Sequence, residues 1–317
     1  MHAAEELGSI AQALRSGVVV APKGIPAMFS EHDLQQIDQA SRTDRTPAIF
    51  VHGLWLLPSS WERWAEVFRA AGFIPVLPGW PDDPDTVAEA KAHPEPLADK
   101  TVGQVTEHLE TLIGRLPRLP VIIGHSFGGL VAQILAGRGL SAATVAIAPA
   151  PFQGVLPLPA STLRAAAPVL SNPANRHRAV PLTSEQFRFS FTNAVDEDEA
   201  EQLYQTFAVP APGAPLFQTA VANLNPWSET KVDSTCPRRG PLLIISGEKD
   251  NAVPWAIANA AYQKQLRNEY AITEIIEMPR RGHSLTIDSG WREICDIALR
   301  FIQQFAPLPT RESPTGK

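Results

Sequence analysis

The chain has 317 residues, of which 44% are hydrophobic and 19% charged, and its formal net charge is −6 at pH 7. That composition is globular, and the length suits one large domain or a domain carrying an insertion. No basic run appears, which argues against nucleic acid as a partner. No apolar stretch approaches the ~20 residues that span a bilayer, so no membrane partner is expected.

The opening segment, MHAAEELGSIAQALRSG, sets Leu7, Ile10, Ala11 and Leu14 at helical spacing. Glu5 and Glu6 stand where a signal peptide carries Lys or Arg, so an N-terminal extension over residues 1–45 reads as a short docking helix or a loose arm. Met28 is a candidate alternative start. From residue 46 two patterns alternate. PAIFVHG (47–53) is a short apolar run ending in glycine, the mark of a buried strand. In PSSWERWAEVFRAAG (58–72) Trp61, Trp64, Ala65 and Phe68 recur at helical spacing, and Gly72 stops the helix. A strand at 73–80, a helix at 101–116, a strand at 120–126, a helix at 128–139 and a strand at 142–149 follow. The alternation resumes with a strand at 241–247, a helix near 255–267, a strand at 271–279 and a helix at 290–305. Strand and helix joined by short links predict an α/β fold, a mostly parallel sheet with helices on both faces.

Between these halves the pattern breaks. Residues 150–240 are proline-rich and hold short helical pieces such as DEDEAEQLYQTF (196–207). A structureless loop of that length is rare in a compact protein, so the segment reads as an inserted helical cap on a core made of residues 46–149 and 241–306. The alternating Phe187, Phe189 and Phe191 fit a strand better than a helix. The tail 307–317 has the composition of a flexible end. Cys236 and Cys295 lie in no metal-ligand spacing, and Cys295 falls in a helical core pattern. Two isolated cysteines fit a reducing, cytoplasmic compartment.

Chemistry concentrates at VIIGHSFGGL (121–130). Gly124-His125-Ser126-Phe127-Gly128 is a G-x-S-x-G at the junction of a predicted strand and helix. A nucleophile there sits on a sharp turn, which requires small residues two positions to either side; Gly124, Gly128 and Gly129 meet that need. A serine hydroxyl requires a base, and the base an orienting carboxylate. Only His177 and His283 follow Ser126. His177 lies between two arginines in NRHRAV and reads as a solvated turn, whereas His283 follows the last predicted strand. For the acid, Asp250 lies in the loop past strand 241–247, with Glu248 the alternative. Two backbone N–H groups are needed for the oxyanion. Phe127 supplies one, and the loop HGLWLLPSSW supplies the other, with Leu54 the first choice and Trp55 the second. Gly53 lets that loop bend, and His52 holds it by hydrogen bonds. Asp288, or Ser289 beside it, is expected to cap the last helix.

His52-Gly53, the motif around Ser126, Asp250 and Gly282-His283 stand in the order and spacing of the α/β-hydrolase fold. Residues 46–305 resemble its cofactor-free branch of serine esterases, lactonases and non-haem haloperoxidases. The resemblance implies Ser126 as nucleophile, His283 as general base and then acid, Asp250 as orienter, Leu54 and Phe127 as oxyanion donors, and a cap that roofs the pocket. It implies no cofactor and no metal.

The expected reaction is hydrolysis of a carboxylic ester or lactone of a small-to-medium apolar molecule through an acyl-enzyme. An amidase, a C–C hydrolase or a perhydrolase would use the same triad, and a ligand-binding receptor could be built on the same scaffold. Trp55 and Trp227 are candidates for the substrate wall. The expected partner is a small molecule, with a homodimer possible.

Overall fold

The computed structural model describes residues 29–306. The helical spacing of Leu7 to Leu14, the alternative start at Met28 and the tail 307–317 lie outside the described residues. Among the described residues eight strands run in the order β1 (Pro47–Val51), β2 (Ile74–Val76), β3 (Val121–His125), β4 (Ala143–Ile147), β5 (Ala179–Val180), β6 (Ala211–Pro212), β7 (Leu242–Gly247) and β8 (Thr273–Met278). Six of them form one sheet in the spatial order β2-β1-β3-β4-β7-β8, parallel throughout. β5 and β6 pair antiparallel as a separate short ladder.

Strands β1, β3, β4 and β7 are buried at every position, which is why they read as unbroken apolar runs. Alternate side chains serve opposite faces. Ile49, Val51 and Ile122 join one core, while Ala48, Phe50, Val121 and Ile123 join the other with Trp61, Trp64 and Phe68. The predicted helix at 58–72 begins as a 3₁₀ turn, Pro58–Trp61, and becomes α-helical only from Glu62.

The helices are α1 (Glu31–Ser41), α2 (Glu62–Ala70), α3 (Val87–Ala92), α4 (Val102–Ile113), α5 (Phe127–Gly137), α6 (Ala160–Leu170), α7 (Ser184–Ser190), α8 (Glu197–Phe207), α9 (Ala214–Val221), α10 (Trp255–Gln265) and α11 (Trp291–Phe305). Helix α1 lies in the expected extension, yet it belongs to the core. Phe29, Ile37 and Ala40 are buried in it, and Gln36 both donates to the Leu77 carbonyl and accepts the Leu77 N–H. Its amide thus completes the backbone just past edge strand β2. Among the described residues no helix is long and apolar enough to cross a membrane.

The stretch between β4 and β7 holds α6 to α9 and the β5–β6 ladder. It corrects one expectation. Phe187, Phe189 and Phe191 lie on or just past helix α7, not on a strand. Thr183 caps that helix in a box with Gln186, so T-x-x-Q was the overlooked start signal. Phe187 and Phe191 then fall four residues apart and stack at 4.6 Å, while Phe189 turns outward under the Arg164 guanidinium.

The sheet order also places the site. Connections leave β1 toward β2 on one side and reach β3 on the other, so the chain reverses its winding between β1 and β3. Open parallel sheets bind ligands at the carboxyl ends of strands at such a switch. Val51 pairs with Gly124, and two residues further along each chain stand Gly53 and Ser126.

Candidate active site

Ser126 follows β3 and caps α5, with φ 56 and ψ −119. A serine held in that region is strained by about 1–3 kcal/mol, a strain found where surrounding structure over-determines the backbone. Here the Ser126 N–H donates to the Ile147 carbonyl at 2.9 Å, and its carbonyl accepts from Leu130 and Ala150. The flanking glycines are required by contact. A Cβ on Gly124 would lie 2.1 Å from the Gly128 carbonyl oxygen, and one on Gly128 would lie 2.1 Å from that of Val51.

His283 stands in the loop after β8 and is 1% exposed. Its Nδ1 lies 2.7 Å from Asp250 Oδ2. The other Asp250 oxygen accepts the N–H groups of Ala252 and Val253 at 2.8 and 2.7 Å. With a carboxylate on Nδ1, the proton belongs there and the Nε2 lone pair is free to accept. Glu248 takes no part in this pair. It is exposed and accepts the Arg280 N–H, which holds its carboxyl below the usual range. His177 is an exposed partner of Asp99.

The loop between β8 and α11 is tied down on several sides. Ser284 N–H donates to the Phe191 carbonyl at 3.0 Å. Trp64 Nε1 donates to the Thr286 carbonyl at 3.0 Å. The most direct tie comes from His125, the residue before Ser126, whose Nε2 donates to the His283 carbonyl at 2.9 Å. His125 is wholly buried, and its Nδ1 has no partner among the described residues. Burial first, then the neighbouring His283, holds its imidazole well below the usual histidine range. Sequence reasoning passed over this residue, although a histidine ending a buried strand was the available signal.

Asp288 does not cap α11. Gly290 occupies the cap position without a side-chain bond. The Asp288 carboxylate instead pairs with Arg281, accepts the Ser284 hydroxyl at 2.9 Å and takes the Gly290 N–H at 3.0 Å. Ser289 is engaged by Glu199. These contacts fix the loop from below.

The loop after β1 runs past the serine. The position a Gly53 Cβ would take is 2.7 Å from Ser126 Cβ and 3.4 Å from Ser126 Oγ. Gly53 is therefore needed for room more than for bending, since its φ is not in the left-handed region. His52 holds the loop from behind. Its Nδ1 lies 2.9 Å from the Gly53 carbonyl and its Nε2 2.9 Å from Asp83 Oδ2, and its ring stacks on Trp80.

Ser126 and His283 open into one cavity of about 190 Å³. No hydrogen bond joins Ser126 Oγ to the imidazole; bonds of this kind tighten in the complex with substrate. Phe127, Trp55, Phe152, Leu163 and Phe191 are among the walls, and no Asp, Glu, Lys or Arg lines it among the described residues. Trp227 does not reach it. That side chain is 86% exposed, in a turn after α9, which corrects the expectation of a substrate wall there. A larger hollow of about 820 Å³ beside α1 is lined by polar side chains such as Glu31, Asp33 and Glu62, and neither Ser126 nor His283 reaches it. Among the described residues no cluster of side chains could hold a metal ion.

A six-stranded parallel sheet carrying a strained serine turn at its switch point, with a buried acid–histidine pair on the following loops, defines a class of hydrolases. Residues 48–297 match the alpha/beta hydrolase family, and the chain belongs to that family. No curated protein matches the chain. Among solved structures it resembles the Paleococcus ferrophilus monoacylglycerol lipase at 17% identity and TM-score 0.56, covering 83% of this chain and 97% of that one. A pyrethroid hydrolase from Sphingobium faniae JZ-2 aligns at 16% identity and TM-score 0.56, covering 83% and 98%. A methylesterase from Arabidopsis aligns at 14% identity and TM-score 0.55, covering 82% and 99%. At these identities the likeness is one of fold.

Proposed function

We propose that the chain is a serine carboxylic-ester hydrolase acting on uncharged, apolar esters or lactones of small to medium size. The observation that carries this reading is the 2.7 Å contact of His283 with Asp250, buried beside a cavity that Ser126 shares. In the first half-reaction Ser126 Oγ attacks the ester carbonyl while His283 Nε2 takes its proton. The tetrahedral oxyanion accepts from the N–H groups of Leu54 and Phe127, and the α5 N-terminus favours the charge. His283 returns the proton to the leaving alkoxide, leaving an acyl-Ser126. In the second half-reaction water attacks the acyl carbon while His283 takes its proton, and His283 then gives that proton to Ser126 Oγ as the acyl–Oγ bond breaks and the acid departs. Asp250 holds the imidazole in its tautomer and faces the imidazolium as it forms. The stretch 150–240 serves as the roof. The lack of charge in the cavity supports an uncharged substrate, because a carboxylate or ammonium bound there would be desolvated without a counter-ion. The named lipase, pyrethroid hydrolase and methylesterase folds are in keeping with ester chemistry.

Intact-protein mass spectrometry after exposure to an organophosphonate probe tests this. One adduct on the wild type and none on Ser126→Ala is the expected result, followed by turnover of p-nitrophenyl butyrate above that of the matched anilide. A folded wild type that takes up no probe overturns the reading.

A further inference from the structure

Trp55 stands directly after Leu54 with φ 64, a backbone region that a bulky side chain enters only when its surroundings hold it there. The surroundings are strand β5 and the segment that leads into β6. The Trp55 carbonyl accepts the Val209 N–H at 3.1 Å, two residues before β6. Its indole Nε1 donates to the carbonyl of Val180, on β5, at 3.0 Å. Val180 pairs with Ala211 across the short ladder, so a single residue of the loop after β1 bonds one strand of it and the segment that leads into the other. Its ring meets Phe191 edge-on at 6.1 Å. Two residues on, Leu57 shares a buried apolar cluster with Val209, and Ala179 packs against that cluster. Leu54 therefore lies between a residue in contact with the serine, Gly53, and a residue in the grip of the insertion.

We propose that Trp55 is a positioning residue through which the seated β5–β6 ladder holds the loop backbone that presents the Leu54 N–H. When the ladder is unseated, Trp55 loses both bonds, its backbone relaxes toward negative φ, and the Leu54 amide turns with it. The insertion then does more than roof the cavity: seated, it holds the oxyanion loop in the form that presents the Leu54 N–H. This rests on the reading of Leu54 as an oxyanion donor.

Two variants act on the seat from opposite sides. Trp55→Phe keeps a ring against Phe191 and removes the bond to Val180. Val209→Pro removes the N–H that Trp55 accepts, at a place where the preceding Ala208 is already extended, φ −68 and ψ 125, as a following proline requires. Steady-state kinetics on p-nitrophenyl butyrate should show kcat lowered about tenfold in each, on the scale of one buried hydrogen bond, with KM within about twofold. Affinity for a trifluoromethyl ketone, which mimics the tetrahedral state, should fall by the same factor as kcat/KM. The double variant should be no worse than the weaker single one, because both act on one seat. A rise in KM with kcat unchanged would make Trp55 a pocket wall only, and losses that multiply would make the two contacts independent; either overturns the proposal. Hydrogen–deuterium exchange of the peptide 53–57 tests the seat without catalysis. Faster exchange in Val209→Pro supports the coupling, and unchanged exchange refutes it. That arm holds even if the wild type proves inactive toward esters and phosphonates, a result that would overturn the proposed function instead.

Discussion

Replacing Gly53 by alanine is a direct test of how closely the loop after β1 is held against Ser126. The added methyl would lie 2.7 Å from Ser126 Cβ and 3.0 Å from the His125 carbonyl oxygen. Non-bonded carbons settle at about 3.5–4.0 Å, so the two backbones must part by about 1 Å. The serine side cannot yield. Its turn is pinned by Ile147 and Ala150, and α5 is already pressed against β1, since a Cβ on Gly128 would meet the Val51 oxygen at 2.1 Å. The loop retreats, and Leu54 with it. A displacement of that size costs about 10²-fold in rate, or roughly 2.7 kcal/mol of barrier. Overpacking lowers stability by about 1–3 kcal/mol as well. Steady-state hydrolysis of p-nitrophenyl butyrate, paired with thermal unfolding followed by circular dichroism, separates the two effects. Gly114→Ala is the control. Gly114 has φ −60 and ψ −16, its nearest atoms lie at 3.5 and 3.6 Å, and the change should stabilise by about 0.4–1 kcal/mol with activity untouched. Retention of kcat/KM within threefold by Gly53→Ala would refute the close packing of loop and serine.

Two further outcomes concern groups outside the reacting set. His125 is held neutral in the folded chain, whereas the unfolded chain takes up a proton below about pH 6.5, so its contribution to stability is complete above that pH and falls as the pH drops, by up to about 1.4 kcal/mol per unit. His125→Gln stays neutral and can still donate to the His283 carbonyl, so urea unfolding between about pH 6.5 and 5 should lose that part of the slope; equal slopes in the two proteins would contradict the assignment. Arg239 is fully buried, and burial pulls its guanidinium down to about 10. It joins the Gln265 end of α10 to Ala271, Ile272 and Thr273 at the start of β8. Arg239→Met should cost about 2–4 kcal/mol in urea unfolding by leaving those oxygens unpaired, with KM unchanged; a cost under about 0.5 kcal/mol would count against it.

Most of the sheet was legible because parallel strands buried on both faces must be apolar at nearly every position, a local property that any segment carries on its own. The glycines about Ser126 were legible for a similar reason: their need arises within a few residues of chain. The insertion was less so. Its helix α7 was hidden behind an alternation of phenylalanines, because an outward-facing Phe189 between Phe187 and Phe191 imitates a strand until the Thr183–Gln186 box is weighed against it. Trp227 and Asp288 went astray because the fate of a side chain in a turn depends on what packs over it.

The sequence by itself determined the α/β class, the buried strands and the order of Ser126, Asp250 and His283 along the chain. Only the tertiary structure shows that His283 pairs with Asp250 and not with Glu248, two residues apart on the same loop, because the pairing is set by where His283 arrives from a different strand. It alone revealed His125 reaching the His283 carbonyl across 158 residues and Trp55 reaching Val180 across 125. Such bonds leave no periodicity or spacing in the chain, since each partner satisfies its own local rules and the pairing exists only once the sheet has brought the two segments together.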